Sequence, residues 1–337
     1  MTTFSELVNL TLPFTHPYFI SEKWLCGVSK FSQAIPDFPA NVLCLETSLS
    51  PAQNFFDLSF FLNFSKKSMT SLRQLCEETL GEKVENNSWG YLISFFTAKS
   101  GKKFLKKSGI SHLGLELDFD EKKKFITQPN LFIPMPPNAD SKMLTQCIRH
   151  FFFMHCLSSN TLSLAENCFK NLSPGFFCRY LGFMLARTND SIRLQISTME
   201  GNFLGYDRLL TTLGYTSSLE PLRLMYEKFR PFCFSTMLQL DIKDFINNRI
   251  GLELHPKKSN LLEWKENMSN ILRVLREENL ISSFEESLLF QWIGAQKKFV
   301  QSKDDYKIHA RTINHIKIVV DKGKIIQTKA YLVSRII

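Results

Sequence analysis

Along this chain, apolar residues fall at every second position in five pairs of short segments, and at helical spacing between those pairs. Strict alternation over five to ten residues marks a β-strand with two distinct faces. The first pair is "VLCLETSLS" (42–50) and "FFDLSFFLNF" (55–64), joined by "PAQN". The second is "HLGLELDFD" (112–120) and "QPNLFIPMP" (128–136) across the charged turn "EKKKF", with Pro129 and Pro134 suiting an edge, a bulge or a strand end. "CRYLGFMLAR" (178–187) and "IRLQIST" (192–198) form the third, "TMLQLDIKD" (236–244) and "RIGLELHP" (249–256) the fourth. The fifth, "NHIKIVVDKGKIIQTKAYLVSR" (314–335), turns at a lysine and a glycine.

Between the pairs the spacing predicts helices over 68–81, 88–107, a long segment near 139–171, then 203–214 and 218–229. A further helix follows the cap candidates Ser259 and Asn260, with Leu261, Leu262, Met268, Ile271, Leu272 and Leu275 on its apolar stripe; the last spans 282–298. Residues 1–40, broken by four prolines, read as an N-terminal extension packing on a single domain over 41–337. Hairpins alternating with helices exclude a parallel α/β sheet, which needs single strands between helices. An α+β fold remains, in one of two forms. In an open sheet the polar faces meet solvent. In a ten-stranded antiparallel β-barrel ringed by α-helices they line a polar lumen, and the sheet has no edges. The number and length of the helices favour the barrel.

Strand parity assigns the faces. Leu43/Leu45, Leu58/Phe60/Leu62, Leu113/Leu115/Leu117, Ile192/Leu194/Ile196, Leu238/Leu240/Ile242, Ile250/Leu252/Leu254 and Ile316/Ile318/Val320 would meet the helices. The opposite faces carry Glu46, Asp57, Glu116, Asp118, Arg193, Gln195, Gln239, Asp241, Glu253, His255, His315, Lys317, Lys329, Tyr331 and Arg335. His255 and His315 meet in such a lumen, where Asp241 or Glu253 lies on the same faces; strands this far apart in sequence give no ligand spacing, so no metal is assigned.

Composition narrows the function classes. The 31 phenylalanines suit thick helix-to-sheet packing. A net charge of +9 favours anionic partners, but the lysines sit in short runs without interleaved aromatics, so no nucleic-acid face is expected. Eight scattered cysteines without a CxxC read as free thiols of a reducing compartment. The N-terminus has no basic region or small-residue cleavage site, and no apolar run reaches membrane-spanning length, so a cytoplasmic protein without membrane partners is expected. "DFDEKKK" is a charged turn rather than an aspartate-rich DDxxD, and no glycine-rich phosphate loop, GxSxG or HExxH occurs.

Five ββ units separated by helices resemble the ABBA, or PT-barrel, aromatic prenyltransferases in element order over essentially the whole chain. "LETSLS…FFDLSFF" looks like the family's opening pair, whose glutamate is the base facing an aromatic acceptor; this implies that role for Glu46, with Glu116 on a neighbouring strand as a second candidate. "IRLQI" is similar to the family strand that grips diphosphate through Arg193, and "TKAYL" to its Lys-x-Tyr strands, in which Lys329 would hold diphosphate and Tyr331 shield the allylic cation. Lys317 and Arg335 complete the basic set. Asp57, Gln195 and Glu253 stand where relatives carry basic residues. The resemblance implies transfer of a dimethylallyl-type group from an allylic diphosphate co-substrate to an aromatic or peptide side-chain acceptor, in natural-product biosynthesis, with Mg²⁺ required by no motif. The acidic residues Asp57, Glu116, Asp118, Asp241 and Glu253 leave a second reading: a barrel without diphosphate chemistry that binds or otherwise modifies a cationic peptide or small molecule.

Overall fold

The structure, a computed structural model, describes residues 2–34, 40–49, 56–63, 70, 108–110, 112–119, 129–152, 157–186, 191–198, 202–299 and 306–337. Eleven strands are present among the described residues: β1 (Val42–Ser48), β2 (Phe56–Asn63), β3 (His112–Phe119), β4 (Pro129–Pro134), β5 (Phe176–Phe183), β6 (Ile192–Thr198), β7 (Cys233–Ile242), β8 (Ile246–Pro256), β9 (Gly294–Phe299), β10 (Tyr306–Asp321) and β11 (Lys324–Ile336). Eight α-helices accompany them among the described residues: α1 (Phe4–Thr11), α2 (Glu22–Ala34), α3 (Ser141–Phe152), α4 (Ser159–Lys170), α5 (Phe203–Thr212), α6 (Glu220–Phe229), α7 (Leu261–Glu277) and α8 (Ser283–Trp292). The sheet runs β11-β1-β2-β3-β4-β5-β6-β7-β8-β10, and β11 also pairs with β10. That last pairing closes a ten-stranded antiparallel barrel, with the helices around it. β9 lies outside the ring, paired with the first part of β10.

The predicted parity holds. Every residue of the seven apolar sets is at most 2% exposed. The opposite faces are buried as well: Glu46, Asp57, Glu116, Arg193, Glu253, Lys317 and Lys329 are 0–6% exposed, which excludes the open sheet with a solvated polar face. The last turn forms as the sequence predicts, with Lys322 at φ 48° and Gly323 at φ 71°. Two successive positive-φ residues are what a tight hairpin with right-handed twist demands.

Three elements depart from the sequence reading, and the N-terminal stretch, to which that reading gave no secondary structure, adds two helices. The segment 139–171 is two helices rather than one, and α4 begins afresh at Ser158, whose hydroxyl accepts from Thr161 N. The predicted helix 282–298 stops at Trp292, and Gly294–Phe299 becomes β9 because β10 offers it a free edge to pair with. The N-terminal stretch folds into α1 and α2 despite its prolines, α1 through a Thr3–Glu6 capping box. Leu261 and Leu262 are 72% and 76% exposed, and the stripe of α7 runs instead through Trp264, Met268, Ile271, Leu272 and Leu275. The predicted helix 88–107, all of 68–81 but residue 70, and the turns at 51–54 and 121–125 lie outside the described residues.

The chain divides into two compact units. The first comprises Met1–Leu131, Ser283–Asn314 and Ala330–Ile337. In it α1 and α2 cover one face of β2 and β3 with rings: Phe4 against Phe60 at 4.8 Å, Trp24 against Phe56 and Phe119 at 6.1 and 5.9 Å, and Phe56 stacked on Phe119 at 4.7 Å. Much of the phenylalanine content is therefore core, and Asp57, Glu116 and Asp118 point the other way. The second comprises Phe132–Ser282 and His315–Lys329. Here α5 packs on β7, and the fully buried Tyr206 hydroxyl donates to Thr236 O at 3.0 Å. No helix among the described residues is long and apolar enough to cross a membrane, and Cys26, Cys44, Cys147, Cys168, Cys178 and Cys233 are free thiols.

Candidate functional site

Each unit gathers ionisable residues on the strand faces turned away from its helices. In the first, pairing places Glu46 opposite Asp57 and Asp57 opposite Asp118, while Glu116 lies opposite Ser59. One carboxylate oxygen each from Glu46, Asp57 and Glu116 falls within a 4.8 Å triangle. Like charges opposite each other weaken a sheet unless neighbouring groups offset them. Asn130 on β4, which the sequence reading missed, donates its amide to Asp118 Oδ1 at 2.8 Å and to Glu116 Oε1 at 3.3 Å. Its signal was present: an asparagine in an otherwise apolar strand, on the parity opposite Leu131 and Ile133.

In the second unit Arg193 and Asp241 are register partners on β6 and β7. The guanidinium forks onto the carboxylate, Nε to Oδ1 at 2.7 Å and Nη2 to Oδ2 at 3.0 Å. Such a bidentate pair fixes both planes. Gly182, opposite Arg193 on β5, leaves room for it: a Cβ there would stand 2.9 Å from Arg193 Cβ and 2.9 Å from the Phe132 ring. Gly251 does the same for Lys317, whose Cδ would lie 3.0 Å from an added Cβ. Lys317 Nζ donates to Gln239 Oε1 at 3.2 Å.

Beside them Glu253 and His255 project from β8 and His315 from β10. The β8–β10 register sets Lys317 opposite Glu253 and Ile316 opposite Leu254, bringing His315 beside His255, with ring centroids 4.5 Å apart. His315 Nε2 and His255 Nε2 stand 3.5 and 3.6 Å from Glu253 Oε2. Gln195 Nε2 donates to the other oxygen, Oε1, at 2.9 Å. Burial pushes the Glu253 carboxyl up, but the His315 charge, the neighbouring His255 ring and the Lys317 charge outweigh it and hold the group below its ordinary range.

Lys329 and Tyr331 are buried at 6% and 8% exposure on β11, whereas Arg335, near the strand's end, is exposed. A separate cavity of about 610 Å³ in the second unit is lined by residues such as Tyr226, Arg230, Phe234 and Lys257 and contains none of the residues singled out from the sequence.

No family model matches the chain, and no curated protein matches it in sequence. Solved structures do match. A 6-dimethylallyl tryptophan synthase superposes with a TM-score of 0.59 at 8% identity, covering 98% of this chain and 96% of the other. The crystal structure of 6-dimethylallyltryptophan synthase from Micromonospora olivasterospora, in complex with DMASPP and Trp, gives 0.54 at 7% identity over 87% and 81%. With the ring of ten strands and the order of hairpins and helices, this likeness shows that the chain has the ABBA, or PT-barrel, fold.

Proposed function

We propose that the protein is a prenyltransferase that moves a dimethylallyl-type group from an allylic diphosphate to an aromatic or peptide side-chain acceptor in the cytoplasm. The carbon–oxygen bond to diphosphate breaks, the allylic carbon bonds to the acceptor, and the acceptor's proton passes to a carboxylate. The observation that carries this reading is the set of cations, Arg193, Lys317 and Lys329, each 3–6% exposed on the polar strand faces of a PT-barrel. A diphosphate leaving group is stabilised by charge-assisted donors in a site that excludes water, and these three side chains are donors of that kind. In this reading Tyr331 screens the allylic cation with its ring face and Arg335 guides the diphosphate from the exposed end of β11. Glu46 is the base, with Glu116 as the neighbouring candidate. The matched structure that holds DMASPP and Trp supports an allylic donor and an aromatic acceptor.

One observation favours the second reading, a barrel that binds or modifies a cationic peptide or small molecule. Asp241 already occupies the Arg193 fork, and Glu46, Asp57 and Glu116 converge as a triangle of acids suited to a guanidinium. Both readings are tested by titrating the protein with the thiolodiphosphate DMASPP, with and without Mg²⁺, beside Lys329→Ala and Arg193→Ala. Micromolar binding weakened at least tenfold by Lys329→Ala supports prenyl transfer. Absence of binding at millimolar ligand overturns it and leaves the acidic cluster as the site, to be probed with arginine-bearing against aromatic peptides.

A further inference from the structure

Three side chains of the second unit aim their terminal atoms at one point. Glu253 and His255 are two apart on β8 and so share a face; His315 arrives from β10, sixty residues later, through strand register. Glu253 is fully buried, and its Oε2 and His255 Nε2 have no hydrogen-bond partner. A buried carboxylate oxygen and an imidazole nitrogen left without partners are rare in a settled interior. The separations are informative. Two ligands about 2.0–2.1 Å from a tetrahedral ion stand roughly 3.4 Å from each other. The distances from Glu253 Oε2 to the two Nε2 atoms are 3.5 and 3.6 Å, longer than a good hydrogen bond and close to that tetrahedral edge.

We propose that Glu253, His255 and His315 form a binding site for a divalent transition-metal ion of the zinc type. Two imidazoles and one carboxylate are a ligand set that leaves a fourth tetrahedral position for an exchangeable ligand. The surroundings are those of a held site. Gln195 donates to Glu253 Oε1, turning Oε2 toward the histidines, and such outer hydrogen bonds orient metal ligands. The Phe234 ring lies 6.3 Å from His255 and limits its rotation. The His255 side chain is 13% exposed, so part of its ring reaches solvent while Nε2 itself is buried. Lys317, opposite Glu253, opposes the ion by its charge, so the site is tuned below the tightest affinity these ligands allow.

The proposal does not depend on prenyl transfer, because its test reads the metal itself. Protein freed of metal with a chelator is titrated with Co²⁺, followed by visible d–d absorption, and then with Zn²⁺ in competition. One equivalent of tetrahedral Co²⁺ without a thiolate charge-transfer band is expected, displaced by Zn²⁺. Glu253→Gln and His315→Gln weaken binding at least 100-fold, and Gln195→Ala weakens it about 10-fold. Lys317→Met is the informative companion, since removing a like charge tightens Co²⁺ binding several-fold, which a merely structural ion-pair cluster does not explain. Glu253→Gln is nearly isosteric, and its far-ultraviolet circular dichroism reports whether the barrel is intact. Binding weaker than millimolar, a thiolate band, or one-to-one binding that survives both His315→Gln and Glu253→Gln overturns the proposal.

Discussion

Cutting the Arg193–Asp241 fork from its two sides should give unequal results. The Arg193 side chain is 6% exposed and that of Asp241 23%. Removing one partner of a fully buried pair costs about 3–5 kcal/mol, because the other charge is left desolvated. Asp241→Ala removes the bidentate partner of a guanidinium that water reaches poorly, so a loss of about 3 kcal/mol is expected. Arg193→Met removes the partner of a carboxylate that water reaches over nearly a quarter of its surface; screening reduces that loss to about 1.5 kcal/mol. With a urea slope of about 3 kcal/mol/M, the midpoints fall by about 1 M and 0.5 M. The double variant should recover most of the Asp241→Ala loss, since a methionine fits an interior better than a guanidinium deprived of that carboxylate. Urea unfolding followed by circular dichroism at pH 7 measures all three. Equal losses in the two single variants, or simple additivity in the double, would refute the argument. If Arg193 also serves a diphosphate, Asp241→Asn releases the fork and tightens DMASPP binding even as stability falls.

Three further outcomes are expected. Gly205→Ala places a Cβ 2.3 Å from Phe176 Cζ and should cost about 2 kcal/mol, relieved by adding Phe176→Leu; a loss that persists in the pair would show that the clash is not its cause. Gly251→Ala crowds the Lys317 stem, so DMASPP affinity should drop about tenfold, roughly 1.4 kcal/mol, while the melting temperature moves little; the opposite pattern would remove Lys317 from the diphosphate reading. The Glu253 carboxyl, held below its ordinary 4.5, adds stability above its unfolded pKa and loses it as pH falls through its folded one. In chelator, Glu253→Gln should therefore cost most near pH 6–7, and the gap to the unsubstituted protein should narrow below about pH 4. A gap constant with pH would contradict that sign.

How far the sequence carries depends on the range of the signal. Leu238, Leu240 and Ile242 announce their face by alternation alone, and so do the hairpins, because each pair of strands is local; closure of the ring had to be argued from the helices that need a sheet to cover. Gly294–Phe299 was illegible for the opposite reason. "GAQKKF" has no β-branched residue and only weak alternation, and it becomes a strand because β10 is there to pair with it. The break between α3 and α4 was written in "SSN", but the apolar spacing on either side concealed it. At the site, Glu253 and His255 were readable as same-face neighbours two apart. That His315 completes them depends on the β8–β10 register, to which no local pattern points. Nor does any local pattern point from Asn130 to its partners, because Glu116 and Asp118 lie on another strand and only the sheet brings them within reach of its amide.

The closing pairing has a temporal consequence. β11 is hydrogen-bonded to β1, and Ile336 N donates to Asn41 O at 3.0 Å across nearly three hundred residues of intervening chain. During synthesis β1 emerges first and waits longest, its edge unpaired until the last hairpin leaves the ribosome. Contacts of such separation fold slowly, and an open edge in the meantime invites pairing with other chains. A frameshift or protease cut before Lys324 would therefore release a chain with two raw edges rather than a shortened barrel, and the cell would meet it as a substrate for chaperones.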